Sequence, residues 1–169
     1  MEIRQLNPND SEIYKILRLE ALKNNPEAFS SSFEEEENDS LEKYELRFKG
    51  INSFTYGAFK QNQLVGTVTL VLETKKKVLH RATIVAMYVT PEARGLGVGK
   101  SLMLQAIQKA KEMNHVNQVY LVVTATNEPA KALYTALGFR TYGIDKEALK
   151  IGDTFFDDEL MVLNLNKKA

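Results

Sequence analysis

The spacing of apolar residues changes at Pro91 from a strand-like to a helix-like period, and that change limits what the chain can fold into. Before it, residues 53–59, 63–73 and 78–89 are rich in β-branched and aromatic side chains, with Lys60-Gln61-Asn62 and the lysine-rich 74–77 between them. Runs of this kind with short links predict three consecutive antiparallel strands. After Pro91 a glycine-rich turn leads straight into a helix over 98–113, where Val98, Leu102, Ala106 and Ala110 recur at helical spacing. Residues 118–125 read as a strand apolar enough to be buried on both faces. A helix over 129–137 carries Ala130, Leu133, Tyr134 and Leu137 as one stripe and stops at Gly138. Residues 141–142 and 155–165 complete the sheet around a hairpin over 144–153.

Upstream, residues 3–6 predict a first strand, and Asp10 or Ser11 can cap a helix whose face is Ile13, Leu17 and Ala21. That pattern ends near Asn24-Asn25-Pro26. Glu34, Glu35, Glu36 and Glu37 read as a solvated helix start. Asp39 and Glu42 suggest a capping pair for a second helix with Leu41, Tyr44 and Phe48 inward and Gly50 at its end. The order β-α-α-β-β-β-α-β-α-β-β is that of a mixed α/β protein with one central sheet. A length of 169 residues with no long linker predicts one domain over 1–169.

Composition removes several chemistries. Cysteine is absent, so there is no disulfide framework and no thiol nucleophile. The two histidines, His80 and His115, are too far apart in sequence to suggest a metal site, and none is expected. A serine hydrolase elbow, G-x-S-x-G, does not occur. Lys+Arg and Asp+Glu both total 22, which speaks against a nucleic-acid partner. With no apolar run of transmembrane length and no signal-peptide pattern at Met1, the expectation is a cytoplasmic protein without a membrane partner.

Chemistry concentrates in Met87-Tyr-Val-Thr-Pro-Glu-Ala-Arg-Gly-Leu-Gly-Val-Gly-Lys-Ser101. A strand, a glycine turn and a helix start follow one another. Backbone N–H groups in such a turn point into one concavity, and the helix dipole adds positive charge. Gly95, Gly97 and Gly99 let a ligand approach the backbone, and Arg94 adds a full charge. The segment is an anion site, best suited to a phosphate or pyrophosphate. The dinucleotide fingerprint fails, because Lys100 stands where its third glycine belongs. Gly99-Lys100-Ser101 matches the second half of a nucleotide P-loop, but Arg94 occupies the place of its first glycine. The pattern [RQ]-x-x-G-x-[GA] is met by Arg94, Gly97 and Gly99, with Val89-x-Pro91 ahead of it.

That third pattern resembles the coenzyme A loop of the GNAT superfamily of N-acetyltransferases. Asn127-Glu-Pro-Ala-Lys-Ala-Leu-Tyr-Thr-Ala-Leu-Gly-Phe139 resembles the family's next motif, N-x-x-A-x-x-L-Y-x-x-L-G-F, at every defined position. The resemblance implies a central, mostly antiparallel mixed sheet with flanking helices and a splayed parallel strand pair, here 78–89 and 118–125. It implies acetyl-CoA as cosubstrate, with pantetheine on the backbone of Met87 and Val89 and a bulge near Tyr88 that frees those groups. Arg94, Gly95, Leu96, Gly97, Val98, Gly99 and Lys100 would wrap the pyrophosphate, with Ser101 in the first helical turn. Asn127 would cap the later helix and reach the pantetheine, with Ala130 among the cofactor contacts. Tyr134 would protonate the departing thiolate while a backbone N–H near Met87 holds the oxyanion. The general base is less defined. His80 on the strand over 78–89 has a suitable intrinsic pKa, and Glu35 or Glu36 would face the substrate entrance. The acceptor implied is a primary amine of a small molecule or peptide, and a homodimer is implied by resemblance alone. A non-catalytic acyl-CoA sensor on the same fold is the alternative; a nucleotide-binding protein using Gly99-Lys100-Ser101 is a third.

Overall fold

The computed structural model describes residues 1–165. Seven strands form one sheet: β1 (Glu2–Gln5), β2 (Ser53–Lys60), β3 (Gln63–Leu72), β4 (Arg81–Val89), β5 (Gln118–Thr124), β6 (Arg140–Ile151) and β7 (Thr154–Asn164), in the order β1-β2-β3-β4-β5-β7-β6. β4 and β5 run parallel; every other neighbouring pair is antiparallel. The helices are α1 (Ser11–Asn24), α2 (Phe33–Glu36), α3 (Leu41–Lys49), α4 (Val98–Glu112) and α5 (Glu128–Ala136). The expected mixed α/β class is present, and the element order is the expected one except that a short additional helix, α2, stands between the two N-terminal helices.

Strand alternation divides the side chains between two faces. Val68, Leu70, Leu72, Ala82, Ile84, Val119, Leu121, Val123 and Met161 point to one face and pack with Leu102, Met103, Ala106 and Ala110 of α4. On the other face, Leu6 and Phe59 join Tyr14 of α1 and Tyr44 and Phe48 of α3. The Tyr14 ring meets Tyr44 and Phe48 edge-on at centroid distances of 5.3 and 5.2 Å, the geometry aromatic quadrupoles favour.

Several expectations are corrected. Of the expected face of α1, Leu17 and Ala21 are buried, but Ile13 is exposed and Tyr14 takes its place. Asp10 does not cap α1 through its side chain; its carboxylate receives both guanidinium nitrogens of Arg4 at 2.8 Å and the Asn7 N–H. Asp39 and Glu42 form no capping pair, since Ser40 is the N-cap of α3 and Asp39 pairs with Lys43. β5 is not buried on both faces, because Val122 is 56% exposed. Residues 144–153 are largely strand, with the reversal at Gly152 (φ 58°). The charged stretch Asp145-Lys146-Glu147 hides that strand from pattern reading. Its register breaks between Asp145 and Leu149, where Glu147 has φ 53°. Asp157 of β7 holds this irregularity by accepting the Glu147 N–H at 2.8 Å and Lys146 Nζ at 3.0 Å.

Leu102 is fully buried between α4 and the sheet. Leu102→Ala should cost about 3 kcal/mol of stability, read as a lower urea midpoint with an unchanged m-value.

Candidate active site

The site begins where a ladder ends. β4 and β5 pair only over Arg81–Gln118, Ala82–Val119 and Thr83–Tyr120. Beyond that β5 stays with β7, through Thr124 opposite Asp158, while β4 turns away. The cause is a bulge: Val85 lies opposite Thr69 and Tyr88 opposite Thr67, so β4 carries one extra residue there. Ala86 takes φ 53°, a left-handed conformation that costs a non-glycine residue free energy. Thr67 Oγ1 donates to the Ala86 carbonyl at 3.2 Å and helps to hold it. The bulge expected near Tyr88 therefore sits slightly earlier, and residues 84–89 have no ladder partner on β5.

The wedge opens into two cavities. Met87, Thr124, Asn127 and Tyr134 line both, and the turn at Pro26–Ala28 roofs their junction. Thr124 Oγ1 donates to the Glu27 carbonyl at 3.0 Å and fixes that roof to β5. The first cavity, about 590 Å³, runs from Met87 and Val89 past Arg94, Gly95, Gly97, Val98, Gly99 and Lys100 to Asn127 and Ala130. Gly95 and Gly97 have φ 74° and 79°. A Cβ on either would meet nothing within 4 Å, so backbone conformation and not space requires glycine there. Gly99 differs: its Cβ would press on Met87 Cε at 3.2 Å. Gly97 opens α4 without a side-chain cap, which leaves first-turn N–H groups for an anion. Arg94 is already ordered, with Nε on the Val89 carbonyl and Nη2 on Asn25 Oδ1, both at 3.0 Å.

Tyr134 is buried between the two cavities, and its hydroxyl has no hydrogen-bond partner among the described residues. Burial pushes its pKa up to about 12, so the phenol stays protonated and can donate near neutral pH. Asn127 Oδ1 caps α5 by accepting the Ala130 N–H at 3.3 Å. The second cavity, about 620 Å³, is floored by Thr69, Val71, Thr83, Val85 and Val122, with Arg18 and Arg47 at one end and Asp145 and Asp158 at the other. An open strand edge, an uncapped helix start and a buried proton donor between two chambers suit transfer between a long anionic ligand and a smaller molecule.

The sequence profile of the Acetyltransferase (GNAT) family matches residues 13–139. This chain belongs to that family. The structural GNAT neighbours include an acetyltransferase from Streptococcus pneumoniae, with a TM-score of 0.86 at 22% identity, covering 97% of this chain and 99% of the other. Another is yncA from Salmonella typhimurium, solved with its cofactor acetyl-CoA, with a TM-score of 0.86 at 15% identity, covering 100% and 96%. At these identities the likeness concerns the GNAT fold. Among curated relatives, mycothiol acetyltransferase of Paenarthrobacter aurescens is 46% identical over 57 residues, which are 34% of this chain and 17% of that protein.

Against the GNAT fold, the expected site residues fall into two groups. Met87, Val89, Arg94, Gly95, Gly97, Val98, Gly99, Lys100, Asn127, Ala130 and Tyr134 come together on the first cavity. Tyr88 contributes there too, but its hydroxyl donates to Glu20 at 2.9 Å on α1. Leu96 and Ser101 do not line it; Leu96 is 59% exposed and the Ser101 N–H bonds the Gly97 carbonyl. His80 lies before β4, not on it, exposed and outside both cavities, with its carbonyl taken by Asn117 and Gln118. Met87 is at the far end of that strand, so His80 is not placed to take a proton from the acceptor. Glu36 is buried, but it lines neither cavity and holds Arg18 Nε and Nη2 at 3.0 and 2.8 Å. Glu35 is a capping residue, receiving the Ser32 N–H at 2.7 Å. Sequence reasoning passed over Arg47, Asp145 and Asp158. The available signal was Asp157-Asp158-Glu159, three carboxylates inside an otherwise apolar β run.

Burial alone raises the Glu36 pKa, but the hydrogen bonds and charge of Arg18 outweigh it and hold the carboxyl below its usual range. A lowered folded-state pKa gives stability that is present above the unfolded carboxylate pKa and is lost as pH falls through the folded value. Glu36→Gln should therefore cost on the order of 3 kcal/mol at pH 7 by leaving Arg18 unpaired. In urea titrations the gap to the unsubstituted protein should narrow as pH is lowered below the ordinary carboxylate range. A gap independent of pH would show that the ion pair is not what Glu36 contributes.

Proposed function

We propose that this chain transfers the acetyl group of acetyl-CoA directly to a primary amine. The observation that carries the reading is the wedge between β4 and β5, which runs without interruption into the glycine turn at the start of α4, with Tyr134 at the inner junction. The open edge of β4 offers backbone groups to a pantetheine chain much as a sheet edge accepts an added strand. Backbone N–H groups over 95–100, with Arg94 and Lys100 beside them, suit a pyrophosphate. The structural neighbour that holds acetyl-CoA, yncA, supports the same choice.

Bound acetyl-CoA supplies an acyl carbon activated by its thioester. The roof at Pro26–Ala28 and the wall at α5 keep the reacting end away from bulk water. The amine approaches from the second cavity; its nitrogen bonds the thioester carbonyl carbon, and the C–S bond then breaks to release the thiolate. Tyr134 gives its hydroxyl proton to the departing sulfur, and the amine gives up its own proton on the acceptor side. The absence of cysteine agrees with transfer that needs no acetyl-enzyme on a thiol.

Calorimetric titration should show acetyl-CoA binding, and thiol release with an amine panel should show turnover. Tyr134→Phe should keep binding within about twofold and lower kcat on the order of 100-fold. No binding at millimolar acetyl-CoA would sink the reading. Binding without transfer to any amine, and without an effect of Tyr134→Phe, would favour a sensor.

A further inference from the structure

The second cavity has charged ends and an apolar middle. At one end Arg47 of α3 is half-buried, donates only to the Tyr14 hydroxyl at 3.3 Å, and has no carboxylate partner among the described residues. Arg18 beside it is already paired with Glu36. At the other end Asp145 and Asp158 face each other directly across the β6–β7 ladder. Neither carries a hydrogen bond or ion pair among the described residues, whereas Asp157, on the opposite face, has both. Two like charges opposite one another on a ladder destabilise it unless something positive sits between them. Burial, then the charges of Asp145 and Asp158's neighbour Asp157, hold the Asp158 carboxyl above its usual range. Between the two ends the floor exposes Val85 (42%) and Val122 (56%), apolar side chains that a plain sheet face would cover.

A cluster of carboxylates alone says little, but here the Tyr134 side chain, 8% exposed and without a hydrogen-bond partner among the described residues, lines the same chamber. Asp158 lies opposite Thr124, and Thr124 is one of the residues at the junction with the cofactor cavity. The acidic end is therefore the reacting end.

We infer that the acceptor is an amine whose far end bears an anionic group, with an aliphatic spacer between: Asp158, backed by Asp145, binds the ammonium and receives its proton, Val85 and Val122 cover the spacer, and Arg47 binds the anion. This rests on the acetyl-transfer reading. Three ladder spacings from the β3 edge of the floor to β7 would span about 15 Å, and the unpaired gap between β4 and β5 beyond Thr83 and Tyr120 makes the actual span longer. The two side chains fill part of that, which leaves room for a spacer of at least about four carbons at about 1.5 Å per bond.

Three amines of matched length test the inference: 5-aminopentanoate, pentylamine and 1,5-diaminopentane, each titrated into the full chain saturated with coenzyme A and each assayed for thiol release with acetyl-CoA. The anionic tail should be preferred over the neutral one by at least about tenfold, the worth of one charge-assisted hydrogen bond, and the cationic tail should be weakest. Arg47→Gln should collapse the preference between the first two amines to within about twofold, while Arg47→Lys keeps most of it. Asp158→Asn should weaken binding of 5-aminopentanoate and pentylamine alike. Equal binding of all three, no binding of any, or a preference that survives Arg47→Gln overturns the inference. Failure to bind acetyl-CoA on the same samples would instead strike the acetyl-transfer reading.

Discussion

The whole arrangement depends on one broken ladder. Two parallel strands that stayed paired to their ends would leave no room between them and no free backbone edge. Here the pairing of β4 with β5 lasts three residues on each strand and then stops. The bulge at Ala86 and the hydrogen bond from Thr67 turn β4 aside, while β7 keeps β5 in place through Thr124. The left-handed backbone at Ala86 is strained, and such strain persists only where surroundings over-determine it. The surroundings here are the β3 ladder on both sides of the bulge and the α4 core beneath Ile84. The same device that opens the wedge also aims β4 at the glycine turn, so the wedge and that turn are continuous.

The two faces of the sheet are treated unequally, and this too serves the site. On one face α4 covers the inward side chains of the central strands closely. On the other, α1 and α3 seal an aromatic cluster with Leu6 and Phe59, α1 also packs on β3, and neither helix makes a substantial contact with β5 or β7. The uncovered strip is the floor of the second cavity. A chain of zero formal net charge can thus hold sharply separated local charges, Arg47 at one end of the chamber and Asp145 with Asp158 at the other.

The parts legible in the sequence were those whose physics is local. Gly95 and Gly97 announce positive φ, Asn127 followed by Pro129 announces a helix start, and the change of period at Pro91 announces a strand running into a helix. Each needs only neighbours within a turn or two. What stayed hidden depends on pairing across the sheet. Asp145 meets Asp158 only because β6 folds back over residues that carry no strand signal. Arg47 enters the chamber from a helix nearly a hundred residues before Asp145. Glu36 sat in a run of four glutamates that otherwise face solvent; its burial is set by Arg18, eighteen residues earlier on another helix. His80 had the right intrinsic chemistry and the wrong place, because the strand starts one residue after it.

The N-terminal helices do more than complete the core, because α1 and the turn behind it touch both chambers. Tyr88 on β4 sends its hydroxyl to Glu20 and accepts from Asn24 of α1, Asn25 receives the Arg94 guanidinium, and the Glu27 carbonyl is held by Thr124. These contacts tie one short stretch of chain to β4, to the glycine turn and to β5 in succession. Any shift of α1 must therefore move the roof of the first cavity and the mouth of the second cavity together. Arg18 extends the linkage: its guanidinium is locked to Glu36 and lies over the Phe29 ring at 4.8 Å, so the arm that carries α2 is packed against the same roof. A segment that carries none of the glycine-turn or Asn127–Phe139 motifs is thus the one that mechanically joins the two cavities.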